Sequence, residues 1–217
     1  MVSSPWIRIV ALSVGLGAVA TQGQAEGALA LDAAAWAPCI GQTTCSIPGL
    51  QLSAAGATAT ARLSQQIDRA RGAVPGLGVE HDLGNGFNDA ELQGPVGGQG
   101  GERLVIAFDT PQTIAEITLV YLFNPAHVPG DPAETALISA SLGDTHLGRI
   151  AVTSVDDATV TLDGPAEAAK LAASGSGTIR VLRPFAGRSV DRLVFSATAV
   201  TAGDSSDYAL GAILTGP

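Results

Sequence analysis

A glycine-rich stretch, GLGVEHDLGNGFNDAELQG at 76–94, holds the densest group of polar side chains in the sequence. Calcium accepts about six to eight oxygen ligands in variable geometry, so crowded carboxylates and amides on a flexible loop suit it. The spacing of an EF-hand loop is absent. The alternative is a solvated loop whose Asn and Asp side chains stabilise its own turns. The candidate calcium ligands are Asp82, Asn85, Asn88, Asp89 and Glu91.

Other catalytic or metal-binding patterns are weak. His81 lies beside Asp82, but the other two histidines form no HxxxH or HExxH spacing with it, which disfavours zinc. Glu91 and Glu102 flank the connection PVGGQGG and could serve as the acid and base of a glycan hydrolase or lyase. The sequence contains no GxSxG and no GxxxxGK[ST] motif. We therefore predict no catalytic residue and expect a protein that is not an enzyme.

The two cysteines, Cys39 and Cys45, lie in the segment WAPCIGQTTC. In an oxidising compartment they predict one disulfide that closes a small loop. The alternative, a thiol metal site or redox pair, has neither the CxxC spacing nor a second cysteine pair.

The N-terminal residues 1–25 have the pattern of a secretory signal peptide. Arg8 precedes an apolar run at 9–20, and small residues follow it, so that cleavage is expected after Ala25 or Ala20. The run is too short to span a bilayer, which takes about 20 residues. We expect a secreted or cell-surface protein with no membrane span in the mature chain.

The charge balance excludes one class of partner. With 11 Lys+Arg against 20 Asp+Glu, the formal net charge is -9, so nucleic acid is not an expected partner. Aromatic residues make up only 4%, which leaves few stacking platforms for sugars and requires an aliphatic core.

Short apolar or alternating runs, separated by Gly, Pro, Asn and Asp, predict an all-β fold. We expect an antiparallel β-sandwich, jelly-roll-like, with at most one or two short helices. One helix is predicted at 165–172, and 63–71 is either a helix or a strand. The run 116–123 is apolar on both faces and predicts a central strand, whereas 136–142 predicts a more exposed edge strand. Strands are predicted at 103–108, 116–123, 136–142, 149–154, 159–162, 178–182, 192–198 and 208–214.

Three regions follow from these patterns: the signal peptide at 1–25, an N-terminal segment with the disulfide loop at 26–49, and a single β-sandwich domain at 50–217. No repeat of 20–50 residues is evident, which disfavours propellers and solenoids.

Several segments resemble secreted bacterial β-sandwich proteins of the kind that often carry PEP-CTERM-type sorting tails. Asp89, Glu91 and Glu102 match the acidic positions of that pattern. The sequence ends at Pro217 without a PEP motif, an apolar span or a basic tail, so the likeness does not include the sorting tail. The resemblance implies an exported domain of the envelope, matrix or exopolysaccharide. The matching segments are GLGV, NDAELQG, GERLVIAF, ITLVYLF, RLVFSA and SSDYALGAI.

Taken together, these observations predict an exported, non-catalytic β-sandwich that acts in the envelope or extracellular matrix by binding or by self-assembly. Its partners would be a polysaccharide, another matrix component, or a second copy through sheet edges. Two alternatives are a calcium-dependent carbohydrate-binding module and a secreted glycan hydrolase or lyase.

Overall fold

The computed structural model describes residues 29–56, 60–67, 74–80, 91–95, 100–123, 133–171, 177–199 and 207–216. One short helix, α1 (Ala33–Trp36), begins at Asp32, whose carboxylate accepts from the backbone N–H of Ala34 and Ala35. Short 3₁₀ turns lie at Ala37–Cys39 and Pro184–Gly187. The strands are β1 (Ala30–Leu31), β2 (Thr44–Ile47), β3 (Leu50–Ala55), β4 (Arg62–Gln66), β5 (Gly76–Glu80), β6 (Arg103–Val120), β7 (Thr135–Leu142), β8 (Thr145–Ser154), β9 (Val160–Asp163), β10 (Ala168–Leu171), β11 (Ile179–Leu182), β12 (Ser189–Ala197) and β13 (Ala209–Thr215).

These strands form two antiparallel layers that share one long strand. The first half of β6 pairs with β3 and β12, and its second half pairs with β13 and β11. Sheet I therefore runs β4-β5-β13-β6-β11-β10, with β1 also beside β13. Sheet II runs β2-β3-β6-β12-β7-β8-β9. The expected all-β sandwich is confirmed.

The crossing of β6 from one sheet to the other occurs around Pro111. A bulge between Val190 and Arg192 of β12 shifts the register on β6 from Gln112 to Ala107. Proline has no backbone N–H to donate to a ladder, so it is tolerated where pairing is interrupted. The bulge lets the strand bend there and leave one layer for the other.

The core between the layers is aliphatic, as the composition predicts. Alternate residues of β12 point inward, and Leu193 and Phe195 have no exposed surface while Val194 and Ser196 are half-buried on the other face. Large inward side chains from both sheets, among them Leu77, Ile106 and Ile213, belong to one cluster.

The lateral edges of the sandwich differ. On one side, backbone hydrogen bonds join the Gly41–Thr43 segment, which leads into β2, to β4 of the other sheet: Gly41 N–H donates to Leu63 O and Leu63 N–H to Gln42 O, both at 2.8 Å. On the other side, sheet II ends at β9. The prediction that 136–142 is an edge strand is wrong, because β7 is paired on both sides, with β12 and β8.

Most predicted strands are confirmed, with two changes. The strands predicted at 103–108 and 116–123 form the single strand β6, whose second half is central as expected. The helix predicted at 165–172 is wrong: β10 occupies Ala168–Leu171 and pairs with β11. The segment at 63–71, left open between helix and strand, contributes the strand β4.

The disulfide predicted between Cys39 and Cys45 is present. It links the 3₁₀ turn after α1 to β2, and both cysteines are buried beside the main core. The predicted signal peptide at 1–25 lies outside the described residues.

Candidate functional site

Three carboxylates meet at one end of the sandwich: Glu91, Glu134 and Asp207. Glu134 immediately precedes β7, and Asp207 lies two residues before the start of β13. Glu91 is brought beside Asp207 because Leu92 N–H donates to Tyr208 O at 2.6 Å. We call these three residues the acidic cluster.

Backbone hydrogen bonds fix the position of Glu134. Its N–H donates to Phe123 O at 3.4 Å, and its carbonyl accepts from Ser154 N–H at 3.1 Å. Its carboxylate also accepts from the N–H of Phe123, which lies three residues after the end of β6. Glu134 is therefore held by main-chain contacts to two other segments, which gives its carboxyl group a defined place.

The surroundings of Glu134 favour its neutral form. Burial is the largest cause that raises the pKa of Glu134, and together with the charge of Asp207, its hydrogen bond with Asp207 and the charge of Glu91 it brings this pKa to about 10. The N–H of Phe123 lowers this pKa but does not outweigh the other effects. At neutral pH the Glu134 carboxyl therefore keeps its proton.

The arrangement can do one of two things chemically. Two carboxyl groups joined by a hydrogen bond hold one proton between them, because one of the groups must be protonated to donate. A cation that replaced this proton would remove the repulsion in the same way, and carboxylate oxygens are ligands that Ca²⁺ prefers. Direct contact leaves no space for a sugar between Glu134 and Asp207, since glycosidases hold their two carboxyl groups about 5–10 Å apart.

The predicted calcium ligands fall mostly outside the structure's described part. Asp82, Asn85, Asn88 and Asp89 lie in the undescribed stretch 81–90, and Glu91, the fifth candidate, is buried in the acidic cluster. Within the described ranges, no group of three His, Cys, Asp or Glu side chains has an arrangement that could hold a metal ion. The start of the predicted glycine-rich loop is instead a strand, since 76–80 form β5.

Glu102, the other candidate acid of a hydrolase, holds two chain segments together through hydrogen bonds. It is 2% exposed, and its carboxylate accepts from Gln93 N–H at 2.8 Å while its own N–H donates to Gln93 O at 2.9 Å. These two bonds tie the start of β6 to the segment that carries Glu91. A carboxylate engaged in this way stabilises the local fold.

Two basic side chains of the C-terminal half also serve the fold. Arg180 of β11 forms a two-pronged ion pair with Glu116 of β6, and Arg183 pairs with Glu167 at 2.6 Å. The guanidinium of Arg180 holds the pKa of Glu116 below its usual value. Internal pairing of these arginines is what the excess of acidic residues predicts.

The outer face of sheet II is broad and uncharged at its centre. Inward neighbours on β6, β7, β8 and β12 are buried, so alternation places a set of uncharged side chains on the solvent side, half-buried except for the exposed Thr161 of β9. Thr135, Thr153 and Thr161 lie in one row across β7, β8 and β9, and the hydroxyls of the first two are 2.8 Å apart. The remaining members are Val105, Ala107, Leu137, Ser139, Ala151, Val194 and Ser196.

Sequence reasoning missed Glu134 and Asp207. Asp207 belongs to the segment SSDYALGAI and comes directly before the last predicted strand, and Glu134 comes two residues before the predicted strand 136–142. Acidic residues at the starts of two strands were the available signal. Their meeting depends on strand order, which the sequence does not state.

Comparisons with known proteins return nothing: no family model matches the chain, and no curated protein or solved structure is significantly similar to it. In the part of the chain that is described, no helix has the length and apolar character needed to cross a membrane.

Proposed function

We propose that this chain is an exported, non-catalytic β-sandwich that acts at the cell surface or in the extracellular matrix by binding or by self-assembly. The observation that carries the proposal is the outer face of sheet II. Its central side chains are uncharged although the chain carries a net charge of -9. Charged residues such as Arg149 and Asp163 border this uncharged region, and a charged rim around a less polar centre is a feature of interaction sites.

Four further features support this function. The disulfide suits an oxidising compartment, and the signal-peptide pattern at 1–25 predicts export. The resemblance to exported sandwich proteins of the PEP-CTERM type also favours the envelope or matrix. The polar side chains that the structure buries, such as Glu102 and Glu116, support the fold through hydrogen bonds and ion pairs.

A calcium-dependent carbohydrate-binding module is the second candidate, and the acidic cluster is the observation that favours it. Glu91, Glu134 and Asp207 do not by themselves have the arrangement of a metal site. Calcium would therefore also need oxygen ligands from the predicted set, of which Asp82 and Asp89 precede Glu91 in the sequence. Calcium would compensate the repulsion that now favours a bound proton. The ligands predicted from sequence at 82–89 remain a prediction.

The test combines binding with stability. Purified mature protein is incubated with insoluble and acidic polysaccharides and sedimented, with calcium or with EDTA. Thermal melts with and without CaCl₂, together with metal analysis, test the second candidate. Calcium at about 100 times its dissociation constant should add about 2.7 kcal/mol, a rise in Tm of about 5–10 °C for a chain of this size.

Variants separate the two candidates. Asp207→Asn should abolish the calcium-induced rise, whereas Glu167→Gln, a control in an exposed ion pair, should keep it. An unchanged Tm in calcium would remove the calcium-dependent candidate. If the protein sedimented with none of the polysaccharides and also failed to self-associate, the leading proposal would be contradicted.

A further inference from the structure

The edge strand β9 carries backbone groups that face away from the sandwich. Val155 N–H donates to Thr159 O at 3.0 Å, which makes 155 and 159 a hydrogen-bonded pair of the β8–β9 hairpin. Such pairs alternate along an antiparallel ladder, so Thr161 and Asp163 direct their N–H and C=O groups toward β8. Val160 and Leu162 consequently direct theirs outward.

The neighbouring ladder gives the same alternation. Ser154 N–H donates to Glu134 O at 3.1 Å, so Ser154 bonds toward β7 and Thr153 toward β9. Thr135 and Thr153 then form a non-hydrogen-bonded pair, in which side chains approach closely, and their hydroxyls are 2.8 Å apart. Among the strands that the structure describes, none pairs with β9 on its outer side.

We propose that β9 is a self-association edge, at which a second copy of this chain adds its own β9 in antiparallel register about a two-fold axis through Thr161. The inference rests on the proposed function, since self-assembly is one of its two modes. It names the partner and the strand.

The register follows from the outward groups. An antiparallel pair of β9 strands must match residues whose N–H and C=O groups face outward, which are Val160 and Leu162. Placing Val160 opposite Leu162 of the second copy satisfies all four groups on each copy. Registers centred on Val160 or on Leu162 leave one of these residues opposite a residue outside β9.

Side chains agree with this register. Val160 and Leu162 both pack against the core, so each would extend the apolar layer of the other copy. Thr161 would face its own symmetry mate and continue the row of Thr135 and Thr153 across the interface. Asp163 would lie opposite Thr159 of the second copy, whose hydroxyl already bonds to Asp156 of its own chain.

Charge sets the conditions for association. Each copy carries a net charge of -9, and Asp156, Asp157 and Asp163 all lie close to the edge. Like charges oppose pairing, and salt screens them over a Debye length of about 8–10 Å at physiological ionic strength. Raising NaCl from about 0.05 to 0.5 M should therefore lower the apparent dissociation constant about threefold or more.

Cysteine crosslinking tests the register. The two cysteines of the chain are joined in the disulfide, so Thr161→Cys introduces a single free thiol. In the proposed dimer the two 161 Cα atoms lie about 4.5 Å apart, within the range of about 4.4–6.8 Å that a disulfide spans. The matched control Asp163→Cys places its two Cα atoms at least about 13 Å apart.

Under mild oxidation, Thr161→Cys should form a covalent dimer and Asp163→Cys should stay monomeric. Equal crosslinking of both variants would show random collision and overturn the register. Failure of Thr161→Cys to crosslink would overturn the proposal.

Light scattering after size exclusion gives a second readout with the unmodified chain and two charge variants. Thr161→Glu should weaken dimerisation about fourfold or more at low salt, from repulsion across about 5 Å. The control Thr44→Glu adds the same charge at an exposed position of β2, at the opposite edge of sheet II, and should weaken dimerisation less.

A monomer at every concentration and salt level would overturn the inference. If that monomer still sedimented with polysaccharide, the proposed function would stand and only the self-association edge would fall.

Discussion

Glu134→Gln should make the protein more stable at neutral pH, although it removes a buried acid. The glutamine amide can donate to Asp207 and its carbonyl can accept from Phe123 N–H, so both contacts of the protonated acid are kept. The variant can no longer ionise. It therefore avoids the free-energy cost of protonating Glu134 on folding, which the wild type bears above about pH 4.3.

The magnitude follows from the two pKa values. The pKa of a glutamate in an unfolded chain is about 4.3, and in the folded chain the pKa of Glu134 is raised to about 10. A raised folded-state pKa gives stability that is complete below about pH 4 and is lost as the pH rises toward 10. The slope is about 1.4 kcal/mol per pH unit, so the wild type should lose about 2–3 kcal/mol relative to the variant between pH 5 and 7.

The assay is urea unfolding of both proteins at pH 5, 6, 7 and 8 in EDTA. Their difference in free energy of unfolding should grow steadily with pH. Glu167→Gln, whose ion pair with Arg183 is exposed, should follow the wild type within about 0.5 kcal/mol at every pH. If the curves of wild type and Glu134→Gln ran parallel, the reasoning about the acidic cluster would be refuted.

Three further predictions concern the fold. Gly164 has φ +119°, and a Cβ there would lie 2.3 Å from Arg149 O. Gly164→Ala should therefore lower the free energy of unfolding by more than about 2 kcal/mol. Gly143 also has a positive φ but has open space around it, so the control Gly143→Ala should lower the free energy of unfolding by only about 1 kcal/mol. Thermal or urea melts measure both, and equal costs would contradict the packing at Gly164. Phe195→Ala, at a position with no exposed surface, should cost about 3–5 kcal/mol in the same melts, and a loss below about 1 kcal/mol would place Phe195 outside the core. Replacing both Cys39 and Cys45 by Ser should cost about 2 kcal/mol, since the closed loop is short; a neutral effect would mean that the disulfide does not constrain the unfolded chain.

The sequence predicted most of the strands because alternation is a local property. In the segment RLVFSA at 192–197, apolar residues alternate strictly, and they become the core face of β12. The error at 165–172 has a physical cause. Alanine favours a helix locally, but pairing with β11 and packing of Ala169 against the core outweigh that preference.

Strand order and the acidic cluster could not be predicted in the same way. The run at 136–142 has serines on one face, which suggested an edge, yet β12 and β8 flank it and the serines lie on the outer face of a central strand. Glu91, Glu134 and Asp207 are distant in sequence and meet because their strands meet. Of the predicted calcium ligands, only Glu91 lies in the described part of the chain. Its neighbours there are Glu134 and Asp207.

The most direct test of the functional account is product analysis on a panel of bacterial and plant polysaccharides incubated with excess protein, in parallel with sedimentation. The account predicts protein bound to at least one polysaccharide or assembled with itself, and polysaccharide chains of unchanged length. Shortened chains that appear with the wild type and not with Glu134→Gln would contradict it and make the acidic cluster an active site.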